Sequence, residues 1–460
     1  MMIKVSDSMG EMMVTKDAYY GASTQRAVLN FPVSGTTMPD GILHALALIK
    51  KEAARVNGEL GLLTEEVVSA IDDAAAEVMG GKFQGQFPID VYQTGSGTST
   101  NMNMNEVIAA RANEIMGSQR QGRTPVHPND HVNLGQSSND VIPSSIHIAV
   151  REYAGKSFLP ALKTLKNSLS ARSREFSRVV KVGRTHMQDA VPITLGQEFS
   201  GYASQVEHAM EAVEDTFLHL EELPLGGTAV GTGLNSHPRF AELVVLRIAS
   251  QADIPFAIAP NRFAAMGGKD ALVSLHKSLA AYASSLYKIA SDIRFLACGP
   301  RCGIGEVAIP ALQPGSSIMP GKVNPVIPES ALQAAVRVMG NDVTVTMANA
   351  SGNLELNVMM PLLAHVIMES LTLITNTTIL MAKKCVDGIS ANIDRCEELV
   401  EQSLALITPL AQVIGYDEAS RLAKEAGLTG KTVRQLVREK GILTEDEIKK
   451  ALDPAGMVGN

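Results

Sequence analysis

The residues best suited to chemistry lie close together in one polar stretch, Gly315–Pro325. This stretch contains two glycines, two serines, two prolines, one lysine and one asparagine. No helical or strand period can run through such a composition, so the pattern predicts a loop. A helix is expected directly after it, because Pro328 suits a first helical position and Glu329 suits the first turn. Hydroxyl groups, an ammonium group and backbone N–H groups beside a helix N-terminus favour the binding of an anion.

Several familiar site types do not fit this loop. A nucleotide-binding P-loop has four residues between its glycines, whereas five lie between Gly315 and Gly321. Val323 also occupies the place of the magnesium-binding hydroxyl group. The Gly-x-Ser-x-Gly pattern of a nucleophilic serine is missing around Ser316. The HExxH and EF-hand patterns are missing from the chain, so no metal site is predicted. The structural alternative is a connecting loop that binds nothing.

Further polar islands interrupt the apolar patterns of the chain. They are short and rich in hydroxyl, amide or glycine residues, and they comprise Thr94–Thr98, His127–Asn139, Gly183–Gln188 and Gly226–Gly233. Each island alone is explained as a helix cap or a turn, because Ser, Thr and Asn are the usual capping residues. Brought together with the Gly315–Pro325 loop, the islands would line a pocket with neutral donors, one lysine and histidine side chains. Such a lining suits carboxylate recognition and acid–base chemistry.

Composition narrows the class of protein. The chain has 460 residues and a net charge of −8, and it lacks a basic run, which argues against nucleic-acid binding. Aromatic residues make up only 4%, whereas Met occurs 21 times, so the core is expected to be aliphatic and helical. The four cysteines lack zinc-type spacing and the first residues lack an apolar signal segment. Reduced thiols and a cytoplasmic location are therefore expected.

Periodicity predicts a mainly α protein in three parts. Residues 1–137 are expected to form a mixed, mostly helical domain, 138–390 a central bundle of long helices, and 391–460 a small helical domain. In the middle part, apolar residues recur at spacings of three and four, as in Leu275–Leu296 and Leu195–Leu220. The second of these runs predicts one helix about 40 Å long. The apolar stretch Asn357–Met381 contains His365 and Glu369, so it is interpreted as a buried core helix rather than a membrane span.

The loop Gly315-Ser-Ser-Ile-Met-Pro-Gly-Lys-Val-Asn-Pro325 resembles the signature loop of the fumarase/aspartase superfamily. The other islands resemble conserved regions of that superfamily in the same order, from Asp17-Ala-Tyr-Tyr-Gly21 to Ile414-Gly415-Tyr416. Within the superfamily the chain is most similar to the class II fumarases. The resemblance implies three domains with a central five-helix bundle. It also implies a homotetramer with a twenty-helix core, in which each active site takes loops from three subunits.

The resemblance further implies a lyase that hydrates fumarate reversibly to L-malate in the tricarboxylic acid cycle, without a metal or an organic cofactor. Ser316 would be the base that removes the C3 proton of malate. Lys322 and Asn324 would bind the carboxylate whose charge grows in an aci-carboxylate intermediate. Thr185 and His186 would hold the water and assist protonation of the leaving hydroxyl group. Substrate-binding groups would be those of Ser96, Thr98, Ser137, Ser138 and Asn139. A second anion site would comprise His127, Asn129 and Asp130, and Glu329 would pair with His186.

Two other functions remain open at this point. Aspartases share the loop and the base but eliminate ammonia from aspartate. Four features favour a fumarase: His186 after Thr185, Ser96 within its glycine-flanked loop, Ser138, and Gly226-Gly227-Thr228. The segment Val326–Glu329 instead resembles the aspartase form. Some superfamily members are structural proteins without turnover. The presence of the base and the lysine favours an active enzyme that takes small dicarboxylates, with neither nucleic acid nor membrane as a partner.

Overall fold

The computed structural model describes residues 1–459 and is dominated by helices. The N-terminal half contains α1 (Ala22–Asn30), α2 (Asp40–Glu59), α3 (Glu65–Met79), α4 (Thr98–Ile115), α5 (Ser138–Tyr153), α6 (Leu159–Glu175), α7 (Leu195–Glu214) and α8 (Phe217–Leu220). The remaining helices are α9 (Phe240–Ala252), α10 (Arg262–Gly267), α11 (Asp270–Leu296), α12 (Val326–Ala350), α13 (Met360–Leu380), α14 (Ile393–Gln402), α15 (Ile407–Ile414), α16 (Tyr416–Thr429), α17 (Val433–Glu439) and α18 (Glu445–Ala451). The predicted mainly α fold is thus confirmed.

The strands are short and pair only in twos. Three pairs are antiparallel: β1 (Met2–Asp7) with β2 (Gly10–Thr15), β3 (Val180–Thr185) with β4 (Gln188–Thr194), and β7 (Val307–Ala308) with β8 (Ser390–Ala391). A parallel pair joins β5 (Glu222–Leu223) to β6 (Ala257–Ile258). The pair β3–β4 matters for function because it carries the predicted residues Thr185 and His186.

The chain divides into two compact units. Unit 1 comprises residues 1–159, 211–281 and 337–374, and unit 2 comprises 160–210, 282–336 and the chain from Thr375 onward. Five helices contribute residues to both units: α6, α7, α11, α12 and α13. The division into three domains at residues 137 and 390 stays a prediction.

In unit 1, α2 packs against α3, α5 and α9. Its core-facing residues include Ile42, Leu46 and Ile49, none of which is exposed to solvent. Their spacing of four and three is that of one apolar helix face. In the same helix Lys50 is also completely buried, which is rare for a lysine and requires polar partners.

In unit 2, the C-terminal helices α14 to α18 pack around a small core that includes Leu410, Leu436 and Val437. Capping boxes at Thr432 and Thr444 begin α17 and α18, as expected where Ser or Thr precedes Gln or Glu by three residues. The helical character predicted for the chain after residue 390 is therefore confirmed.

Of the two long helices predicted from apolar periodicity, one is confirmed and the other is not. In α11 the apolar residues that recur at spacings of three and four are all buried, as predicted: Leu275, Leu279, Tyr282, Leu286, Ile289, Ile293 and Leu296. The run from Leu195 to Leu220 was expected to form one helix, and this prediction is wrong because α7 ends at Glu214 and α8 starts at Phe217. At the break, the Thr216 hydroxyl group donates to the carbonyl oxygen of Val213 over 2.7 Å. Such a local bond competes with the helical hydrogen bonds.

One helical stretch, Met360–Gly388, is long and apolar enough to cross a membrane by composition alone. Its most apolar window is 61% buried inside the protein. This burial agrees with the interpretation of the stretch as a core helix, since a helix that is apolar all round belongs inside a large protein or a membrane.

Candidate active site

The Gly315–Pro325 segment is a loop in unit 2, and its two ends are held together. The Gly315 N–H donates to the Lys322 carbonyl oxygen over 2.7 Å, and the Asn324 amide donates to the Gly315 carbonyl oxygen over 2.9 Å. A Cβ atom at Gly315 would lie 2.6 Å from the Lys322 carbonyl oxygen, so only glycine allows this closure. The helix α12 starts at Val326, directly after the loop, with Glu329 in its first turn.

Ser316 lies where this loop turns, and backbone donors surround its hydroxyl oxygen. The N–H groups of Ile318 and Met319 point at Ser316 Oγ from 3.3 and 3.2 Å. Two N–H donors stabilise negative charge on the oxygen that accepts their bonds. The geometry therefore assists removal of the hydroxyl proton, which a serine needs before it can act as a base. The side chain of Lys322 is exposed in the same loop.

Thr185 and His186 lie at the tip of the β3–β4 hairpin in unit 2. Thr185 pairs with Gln188, so His186 and Met187 form a two-residue turn. Both turn residues have positive φ angles, 54° and 62°, which is the pattern of a type I′ turn. His186 is exposed, and the turn presents its ring to the surroundings.

A buried charge network anchors the strand that leads to this turn. Glu306 is completely buried, and both of its carboxylate oxygens accept from Arg184 Nη1, over 3.0 and 2.9 Å. Lys181 Nζ lies 3.2 Å from the same carboxylate and 3.3 Å from Glu198 Oε1. Such pairs hold a fixed geometry because breaking one leaves a buried charge without a partner. The network thus orients the hairpin that carries His186.

The expected pairing of Glu329 with His186 is not made within one chain. Among residues 1–459 no hydrogen bond or ion pair joins the two side chains. The pairing stays a prediction, since the resemblance implies active sites that combine loops of several subunits.

In unit 1, three hydroxyl groups form a continuous chain at two helix N-termini. Ser96 Oγ lies 2.7 Å from Thr98 Oγ1, which in turn lies 2.7 Å from Ser138 Oγ. Thr98 is the first residue of α4 and Ser138 is the first residue of α5. The positive ends of two helix dipoles therefore converge at these hydroxyl groups, which favours a carboxylate. Glycine is needed at position 97 for two reasons. Its φ angle is 71°, and a Cβ atom there would lie too close to the side chain of Ile142.

The cap of α5 connects this cluster to the glycine-rich island. Asp140 accepts from the N–H groups of Ser137, Gly226 and Thr228 over 2.9, 3.0 and 3.0 Å. The Asn139 amide donates to the Ala229 carbonyl oxygen over 2.8 Å. Burial raises the pKa of Asp140 to about 6, although these N–H groups and the nearby Lys50 favour its charged form. The bonds join the His127–Asn139 and Gly226–Gly233 islands in one place.

The residues of the predicted second anion site begin a π-helical turn at Pro128–Val132. His127 Nδ1 accepts from the N–H groups of Asn129 and Asp130, over 3.2 and 3.1 Å. Burial lowers the pKa of His127, against the attraction of Asp130. With Nδ1 occupied as an acceptor, the neutral ring carries its proton on Nε2. The donors available to an anion are therefore Nε2–H of His127 and the side-chain amide of Asn129, which is exposed.

Sequence reasoning missed several residues that support these clusters, foremost Lys50, Lys181 and Glu306. A signal existed for Lys50, because it follows Leu46 by four and Leu43 by seven and so falls on the apolar face of α2. For Lys181 and Glu306 the sequence carries no comparable periodic signal. In residues 1–459 no group of three or more His, Cys, Asp or Glu side chains is arranged to hold a metal ion.

Comparison with known proteins identifies relatives along the whole chain. A lyase family model matches residues 10–340, and a model for the C-terminus of fumarase C matches residues 406–459. The class II fumarate hydratase of Nitrosomonas europaea is 50% identical over 98% of either chain. The mitochondrial fumarate hydratase of Rattus norvegicus is 47% identical over 98% of this chain and 90% of the rat protein. Two crystal structures share the fold. One is a class II fumarase from Schistosoma mansoni, which is 40% identical over 99% of either chain with a TM-score of 0.95. The other is a fumarate lyase:delta crystallin from Brucella melitensis, which is 42% identical over 100% of either chain with a TM-score of 0.96.

Proposed function

Because this chain belongs to the class II fumarate hydratase family of lyases, we propose that it catalyses the reversible addition of water to fumarate, giving L-malate. The observation that carries the proposal is the arrangement around Ser316. Two backbone N–H groups bind its hydroxyl oxygen in a loop that also holds Lys322 and Asn324. A base and a carboxylate-binding cation within one loop are the groups that removal of a proton next to a carboxylate requires.

The C3 proton of malate is weakly acidic, so its removal depends on stabilising the charge that moves into the neighbouring carboxylate. Ser316 accepts the proton as an alkoxide, which the Ile318 and Met319 N–H groups stabilise, and it becomes a neutral hydroxyl group. The Lys322 ammonium group and the Asn324 amide stabilise the aci-carboxylate that forms. Because they are charge-assisted or preset donors, they act where the charge develops and need no large rearrangement.

A second set of groups is proposed to bind the other carboxylate of the substrate. The hydroxyl groups of Ser96, Thr98 and Ser138, with Ser137 and Asn139, bind a carboxylate at the N-termini of α4 and α5. Thr185 and His186 hold the water and protonate the leaving hydroxyl group, with Glu329 tuning the histidine. The His127 turn, with Asn129 and Asp130, serves as a second anion site. These roles need no metal and no organic cofactor.

The proposal includes assembly into a homotetramer whose sites combine loops of three subunits. Its support is an exposed seam along α12, hereafter the α12 seam. Its residues are spaced alternately by three and four: Gln333, Val336, Gly340, Val343, Met347 and Ala350. Mostly apolar or small residues at this spacing are the contact surface of associating helices. The three-domain organisation and the cytoplasm as the place of action, within the tricarboxylic acid cycle, belong to the same proposal.

The test uses the ultraviolet absorbance of the conjugated double bond of fumarate. Purified protein is added to L-malate or to L-aspartate, without added metal and with a chelator. Absorbance should rise with malate only. A rise with aspartate only would replace the proposal by an aspartase. The absence of a rise with either substrate would favour a structural protein or another substrate of the superfamily.

The Ser316→Ala variant tests the assigned base in the same assay. It should fold and bind substrate but lose turnover by about 10²–10⁴-fold, the usual contribution of a general base. Ser317→Ala removes the neighbouring, exposed hydroxyl group and serves as the matched control. Turnover in Ser316→Ala equal to that of the control would remove the serine from the mechanism.

A further inference from the structure

Lys50 is a buried lysine to which the proposed mechanism gives no role. Its side chain has no solvent exposure. Its ammonium group donates to Asn133 Oδ1 over 2.8 Å and to Gln136 Oε1 over 2.9 Å. A buried ammonium group is costly even when it is hydrogen-bonded, and an apolar residue would fill the same core position at lower cost. The reason for a lysine at this position is therefore to be found in its hydrogen bonds and not in its packing.

Both acceptors belong to the turn that leads into α5. Gln136 directly precedes the cap Ser137, and its amide also donates to the carbonyl oxygens of Val132 and Leu134, over 3.1 and 3.3 Å. The Asn133 amide donates to the Gln136 carbonyl oxygen over 3.2 Å. Lys50 thus fixes the side chains of a turn whose next residues carry the substrate-binding hydroxyl groups.

The same ammonium group is linked to the second helix N-terminus. Asn133 Oδ1, which accepts from Lys50, also accepts from the Asn101 amide over 3.2 Å. Asn101 lies in the first turn of α4, which starts at Thr98. One cation on α2 therefore connects, through a shared amide oxygen, the beginnings of the two helices whose hydroxyl groups meet at 2.7 Å.

The charge of Lys50 has a second effect at this place. The carboxylate of Asp140 is completely buried in the first turn of α5, and Lys50 and Asp140 attract each other. Without the cation, the nearest buried charge at the α5 N-terminus would be negative. A negative charge there would repel the carboxylate that the helix N-terminus should attract.

We propose that Lys50 is a positioning residue of the dicarboxylate site. Through Asn133 and Gln136 it holds the N-termini of α4 and α5 in register, and it offsets the charge of Asp140 so that they bind a substrate carboxylate. The inference rests on the proposed function, since it concerns the same site. It assigns Lys50 to substrate binding and not to proton transfer, so its removal should act on KM more than on kcat.

The test compares Lys50→Met with Lys51→Met, which changes the neighbouring lysine of α2. In Lys50→Met, KM for fumarate should rise at least about tenfold, and kcat should stay within about threefold of the wild-type value. This is the result expected when a variant loses binding energy that the bound substrate and the transition state share equally. Lys51→Met should retain both wild-type values. Far-UV circular dichroism and the unfolding midpoint establish that each variant is folded. A folded Lys50→Met enzyme with wild-type KM would overturn the proposal.

A second variant keeps the inference testable if Lys50→Met does not fold. Gln136→Met removes one acceptor and leaves the lysine in place, and it should raise KM in the same direction by a smaller factor. Wild-type KM in this variant would count against the proposal.

Calorimetric titration with succinate, a dicarboxylate that cannot be hydrated, separates this inference from the proposed function. Weaker succinate binding in Lys50→Met supports the positioning role even if the wild type does not act on fumarate. Equal binding by wild type and variant, or absence of binding by the wild type, overturns it.

Discussion

His147 is a buried histidine on α5 that takes no part in the proposed chemistry but makes the fold sensitive to acid. Its ring is 4% exposed, and Nδ1 lies 3.1 Å from the carbonyl oxygen of Leu220. Burial, reinforced by the nearby Lys269 ammonium group, lowers the pKa of His147 from 6.5 to about 4. The folded protein therefore holds this ring neutral at a pH where the unfolded chain already binds a proton.

The pH dependence of stability follows from this difference. Between the unfolded pKa of 6.5 and the folded value of about 4, the unfolded chain binds the extra proton, so the free energy of unfolding decreases as the pH falls. His147 should cost about 2 kcal/mol of stability between roughly pH 7 and pH 5. His147→Asn keeps an amide donor for the Leu220 carbonyl group but cannot be protonated, so this part of the dependence should disappear. Urea unfolding at several pH values measures it.

The control for this prediction is His208→Asn, which changes an exposed histidine of α7. It should follow the wild-type pH dependence. Parallel curves for the wild type and His147→Asn would show that another group causes the acid sensitivity.

At the residue scale, the sequence predicts a functional side chain when the residues that shape its surroundings are close to it along the chain. Ser316, Lys322 and Asn324 could be predicted because the glycines and prolines that shape their loop lie within the same eleven residues. Lys50 could not be assigned in this way, since its acceptors Asn133 and Gln136 lie more than eighty positions away along the chain. Long-range partners of a buried charge are set by packing, which a single sequence does not specify.

At the element scale, the β3–β4 hairpin shows where local rules give no signal. A two-residue turn usually contains Asn-Gly or a related pair, because both residues take positive φ. Here the pair is His186-Met187, so the sequence predicts only a polar island. Strand pairing and the buried Arg184–Glu306 contact fix the turn instead. A strained turn at a candidate catalytic histidine is the kind of local conflict that functional sites retain.

The strain at Met187 can be measured. A non-glycine residue in the left-handed region costs roughly 1–2 kcal/mol, whereas glycine loses about 0.5–1 kcal/mol more than other residues in unfolded-chain entropy. Met187→Gly should therefore raise the free energy of unfolding by about 0.5–1 kcal/mol, because Met187 is 67% exposed and little packing is lost. Denaturant unfolding measures the change. Met187→Ala keeps a Cβ atom and should bring no gain, so equal stability of the two variants would place the strain elsewhere.

At the scale of the whole molecule, helical periodicity predicted the long helices but not their interruption at Thr216 or their division between two compact units. Apolar spacing identifies which face of a helix is buried, but it does not identify the element that packs against that face. The buried seam of α11 is covered within the chain. The α12 seam has the same spacing, yet Val336, Val343 and Met347 are 55%, 67% and 62% exposed. In the proposed tetramer, a helix of another subunit packs against the α12 seam.

The α12 seam therefore provides the test of assembly. Val343→Glu places a charge in the middle of the seam, where burial against another helix would desolvate it at a cost of several kcal/mol. Sedimentation analysis should show the wild type as a tetramer and the variant as smaller species. Turnover of malate should fall as the tetramer dissociates, because the proposed active site combines loops of three subunits. Leu428→Glu introduces the same charge at an 88% exposed site of α16 and should leave both properties unchanged. A fully tetrameric Val343→Glu protein would show that the subunits associate through another surface, and an active monomer would show that one chain alone completes the site.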